Sequence, residues 1–172
     1  MLSAFGFSTN AVQLGGLTVF AISAGASTWA ASQGKSPWRM VAWLQIACFC
    51  EVLFGVRHLL HDAGHVWLTG QALYTARHAW QVALTGLLVV CALFACAWLC
   101  KAVKRGPQTD APALVALAAS GFTGWVFLIE IVSLHRVDSW LYASLGPFKV
   151  ISLLWAAAAA AVCICALIES RR

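Results

Sequence analysis

The chain has 172 residues, 62 % of them hydrophobic and 10 % charged, with a mean hydropathy of +0.83 and a formal charge of +5. A water-soluble domain carries about 25 % charged residues, so lipid is the expected solvent for most of this surface. The basic residues stand at the ends of apolar runs, which orients a membrane protein and argues against nucleic acid as a partner.

The pattern predicts an all-α fold, a polytopic membrane bundle of five transmembrane helices in a single domain over 1–172. No Lys or Arg precedes the first apolar run and no clear A-x-A site follows it, so that run is expected to be retained. The first span covers about 11–31 and is rich in small residues (Gly15, Gly16, Ser23, Gly25, Ser27) that permit close helix contact. Residues 33–37, ending in Pro37, break it. The second span covers about 38–60, with an amphipathic extension through His65. Gly64 and Gly70 loosen the connection to a third span at about 80–100.

A loop over 101–112 is marked by Pro107, Asp110 and Pro112. The fourth span is expected at about 113–134. A short polar connection over 135–147 places Trp140 and Tyr142 at the interfacial depth these residues favour. The fifth span covers about 148–168. All seven cysteines (Cys48, Cys50, Cys91, Cys96, Cys100, Cys163 and Cys165) fall in hydrophobic runs, which suits packing, not a disulfide framework. Cys96 and Cys100, at i, i+4, are the alternative as a soft-metal or redox pair.

Five spans put the termini on opposite faces. Lys35, Arg39, Lys101, Lys104, Arg105, Arg171 and Arg172 share one face, against Arg57, Arg77, Arg136 and Lys149 on the other. The excess predicts a bacterial inner-membrane protein with a cytoplasmic C-terminus and an exoplasmic N-terminus.

This topology gathers the titratable residues at the exoplasmic end. On a continuous second helix, about 100° per residue places Glu51, His58, Asp62 and His65 on one face, with His61 at its edge and Arg57 off it. His78 lies on the third span. Glu130, His135 and Asp138 follow one another at the end of the fourth. Glu51 and Glu130 fall within apolar spans, where an ionised carboxylate costs several kcal/mol unless paired or neutral.

The first expectation from this constellation is a transition-metal site for copper, zinc or iron. His58, His65, His78 and His135 are the candidate ligands, with Asp62, Glu51, Glu130 and Asp138 as further ligands or groups orienting them. A b-type haem held by His58 or His65 with His78 or His135 is a further option. The competing reading is structural: Arg57, Arg77 and Arg136 pair with Glu51, Asp62 or Asp138, and the chain is a non-enzymatic accessory or scaffold subunit. Its partners are then the lipid bilayer and a membrane protein or a second copy of itself. A small transporter or proton relay using Glu51 and Glu130 ranks last.

Two resemblances bear on these readings. The spacing His61-x3-His65-x12-His78 resembles the D-x3-H-x12-H element of the C subunit of the copper membrane monooxygenases, which implies copper. Here the first position is His61, Asp62 stands one residue on, and Glu130-x4-His135 replaces the family's later N-E-x2-H element. Across the second to fourth spans the chain looks like a group of small bacterial inner-membrane proteins. That likeness rests on Glu51…Arg57-His58-x2-His61, Tyr74-x2-Arg77-x3-Gln81 and Ser133-Leu134-His135-x-Val137-Asp138, and it implies no activity.

Overall fold

In the computed structural model the described residues are 11–34, 36–70, 77–103, 110–132 and 135–171. They form α1 (Ala11–Ser32), α2 (Ser36–Phe54), α3 (Val56–Gly70), α4 (Arg77–Val103), α5 (Ala111–Val132), α6 (His135–Leu141) and α7 (Val150–Ser170), with one short hairpin between α6 and α7. Five of the helices (α1, α2, α4, α5 and α7) are long and apolar enough to cross a membrane. The chain is an all-α polytopic bundle.

Four of those helices make the core: α1 packs on α2 and α7, and α5 packs on α7 and α2. Two apolar layers lie along the bundle axis. Toward one end Ala30, Trp38, Val41, Ala113, Ala116, Val162, Cys165 and Ala166 cluster, and toward the other Phe20, Cys48, Val52, Val126, Phe127, Leu141, Ile151 and Trp155. The second layer depends on Gly16, where a Cβ would sit 2.8 Å from Cζ3 of Trp155. Only glycine lets the indole lie this close to α1.

Between the layers runs a buried polar seam. Ser23 donates to Gln45 Oε1 at 2.6 Å, Gln45 Nε2 donates to Ser120 Oγ at 2.8 Å, and Ser120 donates to the Ala116 carbonyl at 2.8 Å. Lipid offers no alternative partner, so each polar atom must find one inside the bundle. The seam ties α1, α2 and α5 at one level.

The fourth spanning helix stands apart. None of the residues in the apolar window of α4 is buried, and its principal neighbour is α5. Two side chains fasten it: Gln81 Nε2 donates to the Val132 carbonyl and Trp125 Nε1 to the Leu88 carbonyl, both at 3.3 Å.

The second span, expected to run to about residue 60, is two helices. Gly55 adopts φ +61°. Its N–H closes on the Glu51 carbonyl at 2.7 Å, ending α2, and its own carbonyl accepts the His58 N–H at 2.9 Å, starting α3. A side chain would meet a cost of roughly 1–2 kcal/mol in this left-handed conformation.

The polar connection expected over 135–147 is also structured. It holds α6 and then a hairpin of β1 (Ser144–Leu145) and β2 (Phe148–Lys149), in which Ser144 faces Lys149 and Leu145 faces Phe148. The Ala143 carbonyl accepts the Val150 N–H at 3.1 Å, so the hairpin's backbone caps a helix that has no side-chain cap. The last span accordingly starts at Val150, two residues later than its composition suggests.

Candidate functional site

The break at Gly55 creates the polar centre. Along an unbroken helix, Glu51 and Arg57 would lie about 120° apart in projection. The left-handed turn instead folds Arg57 back over Glu51, with Nη1 2.5 Å from Oε2. The Arg57 backbone N–H also donates to Glu51 Oε1 at 3.3 Å. Glu51 thus meets both a guanidinium and the positive N-terminal end of α3.

Glu130, two residues before the last residue of α5, Val132, takes the other side of Arg57: its Oε2 lies 3.3 Å from Nε. Its Oε1 accepts a hydrogen bond from Tyr142 at 2.5 Å. The Asp138 carboxylate, on α6, stands within electrostatic reach of Glu130.

Aromatic rings form the floor. Cζ of Arg57 is 5.3 Å from the Phe127 ring centroid and 5.4 Å from that of Trp155. Phe20 completes a cluster with them, at centroid separations of 5.8 Å to Trp155 and 6.0 Å to Phe127. The Arg57 side chain keeps only 9 % of its surface exposed. A guanidinium this enclosed needs both carboxylates and the ring faces to offset its lost hydration. Three helices, α2, α5 and α7, therefore converge on one side chain supplied by a fourth, α3.

Tyr142 lies outside the spanning helices. Burial first, then the bond to and charge of Glu130, push its hydroxyl up to about 12. It stays a proton donor to Glu130 at any physiological pH.

The candidate residues divide sharply. Glu51 and Glu130, from separate helices, meet on Arg57, with Tyr142 bonded to Glu130 and Asp138 within electrostatic reach of it. Arg57, placed off the polar face by the unbroken-helix reading, is the hub. His58 and Asp62 stand exposed on α3, one turn apart. His61, His65, His78 and His135 sit on α3, α4 and α6, but their side chains lie outside the described residues. Among the described residues no group of three or more His, Cys, Asp and Glu is arranged to hold a metal ion.

Sequence reasoning passed over Phe127 and Trp155 as partners of a cation, Tyr142 as the donor to Glu130, and the whole Ser23–Gln45–Ser120 seam. Gln45 carried a signal, since an amide in mid-span must find a partner inside the bundle. The two rings carried none, because aromatic residues are ordinary in such helices. No protein-family model, curated protein or solved structure matches the chain.

Proposed function

We propose that this chain is a non-enzymatic scaffold or accessory subunit of a membrane assembly, and that its polar end is a structural lock. The observation that carries this reading is the commitment of both membrane-embedded carboxylates, Glu51 and Glu130, to the single guanidinium of Arg57. A divalent cation on these carboxylates would have to displace Arg57 or be repelled by it. The lock holds α2, α3, α5 and the segment carrying Tyr142 in one arrangement, and a partner would read the surface so fixed. The seven-to-four split of basic residues supports an exoplasmic position for this end, in a bacterial inner membrane.

A second reading keeps the transition metal, copper, zinc or iron, and one observation favours it: His58 and Asp62 are both exposed at i, i+4 on α3. That spacing suits ligation, with His65, His78 or His135 completing the set, Asp138 orienting them, and Glu51 and Glu130 remaining on Arg57 and Tyr142. A haem between two of these histidines belongs to the same reading.

Metal analysis and a visible spectrum of the purified protein, beside the His58→Ala and His135→Ala variants, separate the two. The lock reading expects no stoichiometric metal, no Soret band and two variants as stable as the parent. Stoichiometric metal lost in either variant overturns it in favour of the metal site.

A further inference from the structure

α3 carries an apolar stripe that the bundle does not cover. At about 100° per residue, Val56, Leu59, Leu60, Ala63, Val66 and Trp67 fall within roughly 120° of one another, and all six are exposed. The larger ones are strongly so: Leu59 64 %, Val66 70 % and Trp67 59 %. Arg57 lies well off the middle of the stripe, and its burial against Phe127 and Trp155 fixes the rotation of the helix. The stripe is thereby held away from the bundle.

The level of α3 is also fixed. It leaves the end of α2 through Gly55, beside Glu51 and Glu130. The helix that follows it, α4, starts at the same level, since Gln81 in its second turn donates to the Val132 carbonyl at the end of α5. With 15 residues, α3 is about 22 Å long, too short to cross the roughly 30 Å hydrocarbon core. Phe54 before it and Trp80 after it in the chain, both on spanning helices, are exposed apolar side chains as well.

We infer that α3 lies in the membrane interface, and that the occupant of its stripe is the lipid bilayer. Val56, Leu59, Leu60, Val66 and Trp67 enter the boundary between headgroups and acyl chains, at the depth of about 5–10 Å typical of such helices. Trp67 sits where an indole with one wet and one apolar edge is favoured. His58 and Asp62, off the stripe, face the headgroups. Arg57 acts as a pin that joins this surface helix to the bundle. The lipid surface is thus part of the structure at the polar end, and α3 screens the Arg57 centre from one side.

Tryptophan quenching in proteoliposomes tests the placement. The full chain and its Trp67→Phe variant are reconstituted in phosphatidylcholine brominated either near the headgroup end or near the middle of the acyl chain. The difference between the two proteins reports Trp67 alone. It is expected to lose more emission to the shallow bromines than to the deep ones. A Trp67 component quenched by neither lipid means that protein covers the stripe, and one quenched only by aqueous acrylamide means that α3 stands in water; either result overturns the inference. Leu59→Trp in the Trp67→Phe background provides a second probe with the same expected outcome. Among the other tryptophans, Trp29, Trp43 and Trp80 are exposed on the spanning helices. Their quenching in the variant checks that the bundle itself is in lipid, independently of α3.

Discussion

The two buried polar regions of this bundle solve the same problem in opposite ways. The seam of Ser23, Gln45 and Ser120 is neutral, lies in mid-span and closes with short hydrogen bonds between three helices. The centre of Glu51, Arg57, Glu130 and Tyr142 is charged, lies at the helix ends and needs a residue from a separate helix to close. Each hydroxyl of the seam has a fallback, because serine can donate to its own helix: Ser23 has the Phe20 carbonyl at 3.2 Å and Ser120 already uses that of Ala116. Without the guanidinium, the carboxylates of the charged centre are left to neutral donors, the backbone N–H of residue 57 for Glu51 and the Tyr142 hydroxyl for Glu130. Two carboxylates that lose their guanidinium face each other in a poor solvent. The neutral region can therefore degrade by degrees, whereas the charged one fails as a unit.

Substitutions can break or sharpen this contrast. Arg57→Met should have the largest effect, a loss of roughly 3–5 kcal/mol, as expected when one partner of a buried ion pair is removed. Reversible unfolding in mixed micelles measures it. Adding Glu51→Gln and Glu130→Gln to that variant should recover part of the loss. A single variant as stable as the parent would mean that the centre is not a lock.

Tyr142→Phe should cost less, about 1.5–3 kcal/mol, the range for a hydrogen bond to a charged group. Its contribution has a predictable pH window. The Tyr142 hydroxyl is raised in the folded chain to about 12 from an ordinary value of 10. The stabilisation is thus fully present below pH 10 and is lost as pH rises toward 12. Ultraviolet titration, subtracting the variant from the parent, should show the Tyr142 phenolate appearing only near the upper end of that window.

The smallest effect is expected from Gln45→Leu. Interhelical hydrogen bonds within a bilayer contribute about 0.6 kcal/mol on average and about 1.7 at most. Both serines retain carbonyls of their own helices, so the same unfolding assay should show a loss inside that range. A loss as large as that of Arg57→Met would erase the distinction between the two regions.

The contrast also explains what could be read from the chain. Glu51 and Glu130 announce themselves, since a carboxylate inside an apolar run must be paired or neutral, and the order of the spans puts both at one end. The spans are legible for the same reason, as lipid demands long apolar helices. Arg57 as hub was hidden by Gly55. Glycine is common in membrane helices, and nothing local marks this one as left-handed rather than helical. That single residue decides whether Arg57 projects away from Glu51 or over it. Tyr142 was hidden differently: its bond to Glu130 depends on α6 and on the chain's course after it, which no periodicity encodes. Gln45 was readable in principle, but an amide attracts less notice than a charge.

The glycine at position 16 has a reach beyond its own contact. Trp155 is touched by α1 at that glycine, and the same indole is part of the surface on which the Arg57 guanidinium rests. One aromatic side chain is therefore common property of the first spanning helix and of the charge cluster. Any larger side chain at position 16 must move Trp155 or lift α1 from it, and a displaced Trp155 takes with it part of the bed of Arg57. The size of an uncharged residue on α1 thus sets how well a cation on α3 is seated, although the two helices have no charged group in common.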